Sequence, residues 1–297
     1  MTLITVVVPV FNEAQSLRSS LPSLFRQVFK EVEVIALDEG SSDGSLELLR
    51  GHERAGRLRL LRYRGQRRGR LAACNDAARR ARGEWLMFFD TRDLLLFDHL
   101  SRMAAAFTRH PDIELFASAY QRMGPSGPVR MALPSRGVLS RRSALAAYAR
   151  ADFIQPHASC IRRERFLEMG GFGEHLRQGG ETCFWLGALC ELEAIHYDDT
   201  ITSLWNTADD GIEPEAESVS LHPVVELLDR YAGRLSARER RRLEGAVNRK
   251  LLDWATWKKC RGQSVRTELA SLRLSGLPMR LWPRTLRLML PPSWFRR

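Results

Sequence analysis

Apolar residues in the first ninety positions come as short unbroken runs separated by stretches with helical spacing. Leu3 to Phe11 is β-branched and reads as a strand buried on both faces. Pro9 falls near its end, where no ladder donor is needed. Leu17, Leu21, Leu24, Phe25 and Val28 then recur at helical spacing across Ala14 to Phe29. Glu33 to Leu37 predicts a second strand. A helix through Leu46, Leu48 and Leu49 follows, capped by Ser42 or Asp43. Leu58 to Tyr63 predicts a third strand, and an alanine-rich helix over 71–81 leads into Trp85 to Phe89. That last run is too short for a free-standing helix and rich in aromatics, so it predicts a buried central strand. The order β-α-β-α-β-α-β predicts an α/β fold, a wound, mainly parallel sheet flanked by helices.

Two acidic turns close the second and fourth strands: Asp38-Glu39-Gly40-Ser41-Ser42-Asp43 and Asp90-Thr91-Arg92-Asp93. Ligands of open α/β sheets bind beyond the carboxyl ends of the strands, so both turns face one binding edge. Carboxylates there can accept from a nucleotide base or ribose, or hold a metal that bridges phosphates. A G-x-G-x-x-G fingerprint and a Walker loop are both absent, which sets aside dehydrogenase and P-loop readings. Arg67, Arg68 and Arg70 stand in and beside a glycine-bounded loop, as phosphate ligands or as a solvated basic loop. His157, in Gln155-Pro156-His157-Ala158, reads as a local hydrogen-bond partner rather than a catalyst.

Length and charge refine this picture. At 297 residues the chain is long enough for one large α/β domain over 1–215 and a basic helical C-terminal extension over 216–297. Its five cysteines are odd in number and lack C-x-x-C spacing, which fits a reducing cytosol better than a disulfide framework or zinc site. No basic segment precedes the first apolar run, so a secretory signal is not expected there. The net charge of +11 is concentrated: residues 222–297 hold 18 Lys or Arg and 6 Asp or Glu, or +12, against −1 for the remainder. Met123 to Arg142 is dense in glycine, proline and arginine and predicts a loop or β-ribbon. Asp198 to Ser218 reads as a linker. Ser236-Ala237-Arg238-Glu239 resembles a capping box. Residues 277–297 interleave Leu, Met, Trp and Phe with arginine, the pattern of an interfacial helix on an anionic membrane. The alternative is a helix packed on the protein with its arginines in water. No nucleic-acid-binding motif accompanies the charge.

Four blocks together carry a resemblance. Val8-Pro9-Val10-Phe11-Asn12-Glu13, Leu37 to Ser45, Asn75 with Ala81 to Trp85 running into Asp90, and Ile161 to Phe166 with Gly170 to Glu174 resemble the family 2 glycosyltransferases of GT-A fold. The resemblance implies that Pro9, Phe11 and Glu13 line a base and ribose pocket. It implies that Glu39 accepts from the base, that Asp38 and Asp43 shape its turn, and that Asp90 stands near ribose and diphosphate. Glu174 and Glu181 fall on the acceptor side. The implied partners are a nucleotide-sugar donor and a glycan or lipid-linked acceptor; the basic stretch over 277–297 adds the expectation of a cytoplasmic protein held peripherally on the inner face of a bacterial cell membrane.

Two positions depart from the family's pattern. Arg92 occupies the third place of the D-x-D element, where relatives keep the metal-binding carboxylate. Thr182 follows Glu181 where relatives carry the Asp that serves as general base. An arginine cannot coordinate a cation, but its planar fork suits phosphate. One expectation is therefore a metal-independent transferase, with Arg92 as electrophilic cation, Glu181 as base and Glu174 in reserve. Asp90 and Asp93 are the alternative carboxylates for a Mg²⁺ or Mn²⁺ ion. The other expectation is a degenerate transferase that binds a nucleotide or a partner without turnover.

Overall fold

A computed structural model describes residues 3–63, 67–125, 127–176, 178–207 and 221–289. The chain forms two compact units. Met1–Leu139, Phe153–Glu174 and Ala194–Ile212 make the first, and Ser140–Asp152, His175–Glu193 and Glu213–Arg297 the second. The boundary expected near residue 215 lies outside the described residues.

The first unit opens with β1 (Ile4–Val10), α1 (Ala14–Phe25), β2 (Val32–Asp38), α2 (Ser45–Arg54), β3 (Arg59–Arg62), α3 (Arg70–Arg80) and β4 (Trp85–Phe88), in the predicted order. It continues through β5 (Leu94–Leu95), α4 (His99–Arg109), β6 (Leu115–Ser118), β7 (Tyr120–Gly124), β8 (Gly127–Met131) and β9 (Gly137–Ser140). After α5 (Arg141–Tyr148) of the second unit come β10 (Ser159–Arg162) and α6 (Arg163–Glu168). After α7 (Gly180–Glu191), also of the second, come β11 (Ala194–Asp198) and β12 (Ser203–Asn206). Eight strands form one sheet in the order β3-β2-β1-β4-β10-β6-β11-β9.

The register of the central strands builds the binding edge. β1 runs parallel to β2 with Val10 opposite Asp38, and parallel to β4 with Val7 opposite Phe88. The residues that follow, Phe11 to Glu13, Glu39 and Asp90, therefore emerge on one edge. β1 and β4 are buried at every position, as the unbroken apolar runs require. Trp85 stacks on Phe107 at 4.0 Å and meets Phe116 edge-on, joining the sheet to α4. Gly83 enters β4 where a Cβ would lie 2.5 Å from Thr5 Oγ1 and 2.6 Å from the Thr5 nitrogen, so only glycine fits against β1.

Three details differ from the sequence reading. The first helix ends at Phe25, and Val28 is 56% exposed instead of extending the apolar face. The segment read as a linker begins with the end of β11 and includes β12, which pairs with β5 and β7. A four-residue strand with two half-buried apolar positions leaves little pattern in polar surroundings; residues 208–220 lie outside the description. The ribbon expected over 123–142 is the antiparallel hairpin β7–β8, whose first strand starts earlier, at Tyr120.

The second unit closes with α8 (Glu226–Arg230), α9 (Ala237–Cys260), α10 (Arg266–Ala270) and α11 (Trp282–Met289). The capping box is present: Ser236 Oγ accepts from the Glu239 N–H at 3.4 Å, and Glu239 Oε2 from the Ser236 N–H at 2.9 Å. Leu252, Ala255, Val265, Leu277 and Leu288 form one of its apolar clusters. Asp152 is held by Arg249 and Lys250, each at 2.6 Å. No helix among the described residues is long and apolar enough to cross a membrane. Of the stretch read as interfacial, residues 290–297 lie outside the description.

Each unit buries a histidine that must stay neutral. Burial pushes His99 down to about 3 and His222 down to about 4, the latter helped by the nearby Lys250 charge. Both groups protonate near 6.5 once unfolded, so the stability they contribute is complete above that pH and is lost as pH falls. The expected loss is about 1.4 kcal/mol per pH unit for each histidine below roughly pH 6. Urea midpoints at pH 7, 6 and 5 should fall accordingly, and His99→Asn should flatten the slope. A midpoint independent of pH over this range contradicts the assignment.

Candidate active site

The acidic turn after β2 is organised by its own carboxylates. Asp38, fully buried, accepts from the N–H groups of Gly40 at 3.1 Å and Ser41 at 3.3 Å. Asp43 accepts from Ala14 N–H at 2.8 Å and Ser45 N–H at 3.0 Å, so one carboxylate caps the starts of α1 and α2. Asn12, with φ of 55°, accepts from Ser42 N–H at 2.8 Å and ties the end of β1 to the same turn. The Glu13 backbone N–H donates to Ser45 Oγ at 2.9 Å. Pro9 is buried within β1 opposite Leu37, and Phe11 lies half-buried beyond it under the Arg67 guanidinium, 3.9 Å from the ring centroid.

Glu39 is 3% exposed and accepts from the Gly69 N–H at 2.7 Å. Burial raises its carboxyl above the ordinary value, with the Gly69 bond and the Arg67 and Arg70 charges opposing that rise. The basic loop that the sequence left between phosphate ligand and solvated surface is thus tied to the acidic edge. Arg67 lies 3.7 Å from Glu39, and Arg70 Nη1 3.1 Å from Asp90 Oδ2.

Asp90 sits between two arginines. Its Oδ1 accepts from the Arg92 backbone N–H at 3.0 Å and from Arg92 Nε at 3.1 Å, and its Oδ2 from Arg92 Nη2 at 3.2 Å. Arg92 therefore folds its planar fork back along the carboxylate of its own turn. Burial alone would raise Asp90, but the Arg70 charge and the Arg92 fork outweigh it and hold the carboxyl well below the usual range. The three side chains together carry one net positive charge at the mouth of β4. Sequence reasoning missed Arg70 as the second partner, since only the fold brings residues twenty apart to one carboxylate.

Asp93 turns away from this cluster. Its Oδ2 lies 2.8 Å from His157 Nδ1, and its Oδ1 accepts from the Asn206 N–H at 3.3 Å. His157 is 1% exposed, and its Nε2 is buried without a partner among the described residues. The Asp93–His157 pair therefore pins the Asp90 turn to the segment before β10.

A divalent ion at this edge would need carboxylate oxygens open to it. Both oxygens of Asp90 and both of Asp93 already receive protein donors. No group of three or more His, Cys, Asp or Glu among the described residues is arranged to hold an ion. The donors present do not fit Mg²⁺ or Mn²⁺ coordination.

Glu174 is part of a second network. Its Oε2 accepts from Arg68 Nη2 at 2.6 Å and its Oε1 from Asn75 Nδ2 at 3.0 Å, with Arg79 3.6 Å away. Asp76 joins through Arg68 Nη1 at 3.0 Å and through Tyr63 and Arg79. With both oxygens engaged, Glu174 anchors Arg68 and Asn75 to this edge. Asn75 also closes a two-way bond with Phe172, donating to its carbonyl at 2.8 Å and accepting from its N–H at 2.9 Å. Gly171, at φ of 71°, leaves the space this needs: a Cβ there would lie 2.5 Å from Asn75 Oδ1.

Glu181 belongs to the second unit, half-buried in the first turn of α7 with Thr182 beside it. Trp185 of the same helix is 2% exposed and packs against Phe184, a core position rather than a stacking platform for a sugar. Burial pushes the thiols of Cys183 and Cys190 up to about 12, so both are inert packing groups.

Comparison with known proteins supplies the family and the fold. The family profile "Glycosyl transferase family 2" matches residues 5–168. An uncharacterized glycosyltransferase of Haemophilus influenzae is 29% identical over 103 residues, 34% of this chain and 41% of the relative. A PGL/p-HBAD biosynthesis glycosyltransferase of Mycobacterium bovis is 30% identical over 114 residues, 38% of this chain and 44% of the relative. The chain thus spans less than half the length of these curated relatives. Among solved structures, Staphylococcus aureus TarS 1-349 in complex with UDP-GlcNAc superposes with a TM-score of 0.70 at 18% identity, covering 97% of this chain and 80% of that one. The mannosyltransferase PcManGT of Pyrobaculum calidifontis, in complex with GDP-Man and Mn²⁺, gives 0.57 at 18% identity, covering 99% and 88%. At that identity the likeness establishes the GT-A fold, and the profile, matched over more than half the chain, establishes the family: the chain belongs to glycosyl transferase family 2.

Proposed function

We propose that the chain moves a sugar from a nucleotide-sugar donor to a glycan or lipid-linked acceptor in bacterial polysaccharide or lipopolysaccharide assembly, without a metal ion. The observation that carries this reading is the Arg70–Asp90–Arg92 cluster, which gathers guanidinium charge at the turn that resembles the family's D-x-D element. Pro9, Phe11, Glu13, Asp38 and Glu39 form the nucleotide side of the edge. A donor such as the UDP-GlcNAc of TarS has a base that can donate to Glu39 and a diphosphate that can meet Arg92. In the reaction the acceptor hydroxyl attacks the anomeric carbon as the bond to the diphosphate oxygen breaks. The leaving nucleoside diphosphate keeps the electron pair, and Arg92 meets its growing charge. Glu181 takes the acceptor's proton. The expected outcome is inversion at the anomeric carbon. We place the protein on the inner face of the cell membrane, held peripherally by its C-terminal helices.

A second reading, a degenerate transferase that binds a nucleotide or partner without turnover, is favoured by the closed Arg92–Asp90 fork and by Thr182 in the base position. A thermal-shift panel of nucleotide diphosphates and nucleotide sugars, each with and without Mg²⁺ or Mn²⁺, followed by a turnover assay, separates the two. A ligand at 100 times its Kd stabilises the native state by about 2.7 kcal/mol. One nucleotide class should therefore raise Tm equally with and without metal, and its sugar conjugate should be consumed. Protection without consumption selects the second reading, and no protection by any nucleotide removes the transferase and leaves the second reading only as partner binding.

A further inference from the structure

Within the second unit, Arg150, Arg241, Arg242 and Arg280 line a cavity of about 240 Å³. At the ~30 Å³ that a water occupies in the liquid, this is room for roughly eight waters, ample for a phosphate group. The floor is backbone. A Cβ on Gly276 would lie 2.7 Å from the Gly245 nitrogen, and one on Gly245 would lie 3.2 Å from the Gly276 carbonyl oxygen, so the two glycines let α9 and the segment before α11 touch. Two of the arginines are fixed by neutral acceptors: Arg241 Nε donates to the Ser275 carbonyl at 2.6 Å, and Arg280 Nη2 to the Ala149 carbonyl at 2.7 Å.

Several basic side chains of the unit meet acids: Arg249 and Lys250 meet Asp152, Arg284 meets Asp253, and Lys258 meets Glu268. Among the described residues none of the four around the cavity is paired with a carboxylate. Burial and the charges of Arg150 and Arg249 lower Arg280 below its ordinary value, the mark of like charges crowded together. A bound anion relieves that crowding, and a forked guanidinium matches phosphate oxygens in pairs.

A second feature indicates where the anion comes from. Met279, Trp282, Leu286 and Met289 follow one another at helical spacing along and just before α11, and they are 88%, 44%, 55% and 62% exposed. The opposite side of α11 buries Thr285 and Leu288 instead. An apolar stripe turned to solvent, starting one residue from an arginine of the cavity, is the arrangement of an element lying in a lipid headgroup layer.

We propose that the Arg150–Arg241–Arg242–Arg280 cavity binds the phosphate of an anionic lipid headgroup while the Met279–Trp282–Leu286–Met289 stripe enters the bilayer surface. This rests on the peripheral-membrane part of the proposed function and assigns it a specific phosphate site.

Co-sedimentation of the full chain with vesicles of phosphatidylcholine, with and without 30% phosphatidylglycerol, tests it alongside calorimetric titration with glycerol phosphate in solution. The variants are Arg150→Glu/Arg242→Glu, whose side chains have no hydrogen bond or ion pair to lose among the described residues, and Trp282→Ser/Leu286→Ser. Nucleotide protection in the thermal-shift assay reports that each variant is folded. The expected result is pelleting with anionic but not neutral vesicles, weakened at least tenfold by the arginine variant and also by the stripe variant. Anionic vesicles bound equally by wild type and arginine variant overturn the phosphate site and leave membrane attachment standing. Glycerol phosphate bound by wild type, with vesicles ignored, overturns the lipid as source and the membrane reading with it.

Discussion

Arg92→Ala is expected to lower transfer by about 10² to 10³-fold, the range seen when one preformed donor to a developing charge is removed. The loss should fall on kcat more than on KM, because the guanidinium meets charge that grows as the diphosphate leaves. The fold should be nearly untouched. Arg92 is partly exposed, and Asp90 keeps Arg70 at 3.1 Å after the substitution, so no buried carboxylate is orphaned. Stability should change by less than about 1 kcal/mol. Arg92→Lys retains the charge but not the two-pronged contact with Asp90, and should recover only part of the rate. The substrate for the assay is the nucleotide sugar that gives the largest thermal shift. Arg92→Ala turning over at the wild-type rate would remove the cation's role.

Asn75→Ala should have the largest effect on stability. Asn75 is 2% exposed and holds Phe172 by both its N–H and its carbonyl while also donating to Glu174. Truncation leaves two buried backbone groups short of a partner and takes one donor from Glu174, at about 1–3 kcal/mol for each unsatisfied backbone group. A loss of roughly 3–5 kcal/mol, lowering Tm by about 10 °C, is expected. Gly171→Ala approaches the same contact from the other side, since its Cβ would collide with Asn75 Oδ1 at a φ unfavourable for alanine. A double variant should therefore cost less than the sum of the two, because each breaks the same bond. Additive losses would show that Gly171 matters for a different reason.

The parallel half of the sheet could be read from the chain because β1, β2 and β4 are short, apolar and separated by helices of regular spacing. Placing Glu39 and Asp90 on one edge followed from that order alone. What escaped was everything held by contacts distant in sequence. β10 inserts antiparallel between β4 and β6, and nothing local to Ser159–Arg162 announces its neighbours. Asn75 meets Phe172 across 97 residues. The sequence marked Arg92 as a substituted metal ligand, but a side chain two residues from Asp90 can turn outward or back, and torsions within the turn decide which. The basic loop had the same ambiguity: Arg67, Arg68 and Arg70 look like any solvated run until Glu39, Asp76 and Asp90 are brought opposite them. Glu174 fell on a motif position, yet its neighbours make it an anchor. In the tail, periodicity located α9 and its cap, whereas the cluster around Arg241 and Arg280 depends on how α9 meets the segment before α11.

Donor turnover by the wild-type protein in excess EDTA, compared with the same assay in Mn²⁺, tests the guanidinium cluster most directly. With Arg70 and Arg92 closed on Asp90, and both oxygens of Asp90 and of Asp93 already engaged, the rate should be the same in both. A reaction abolished by chelation and restored by Mn²⁺ would contradict it.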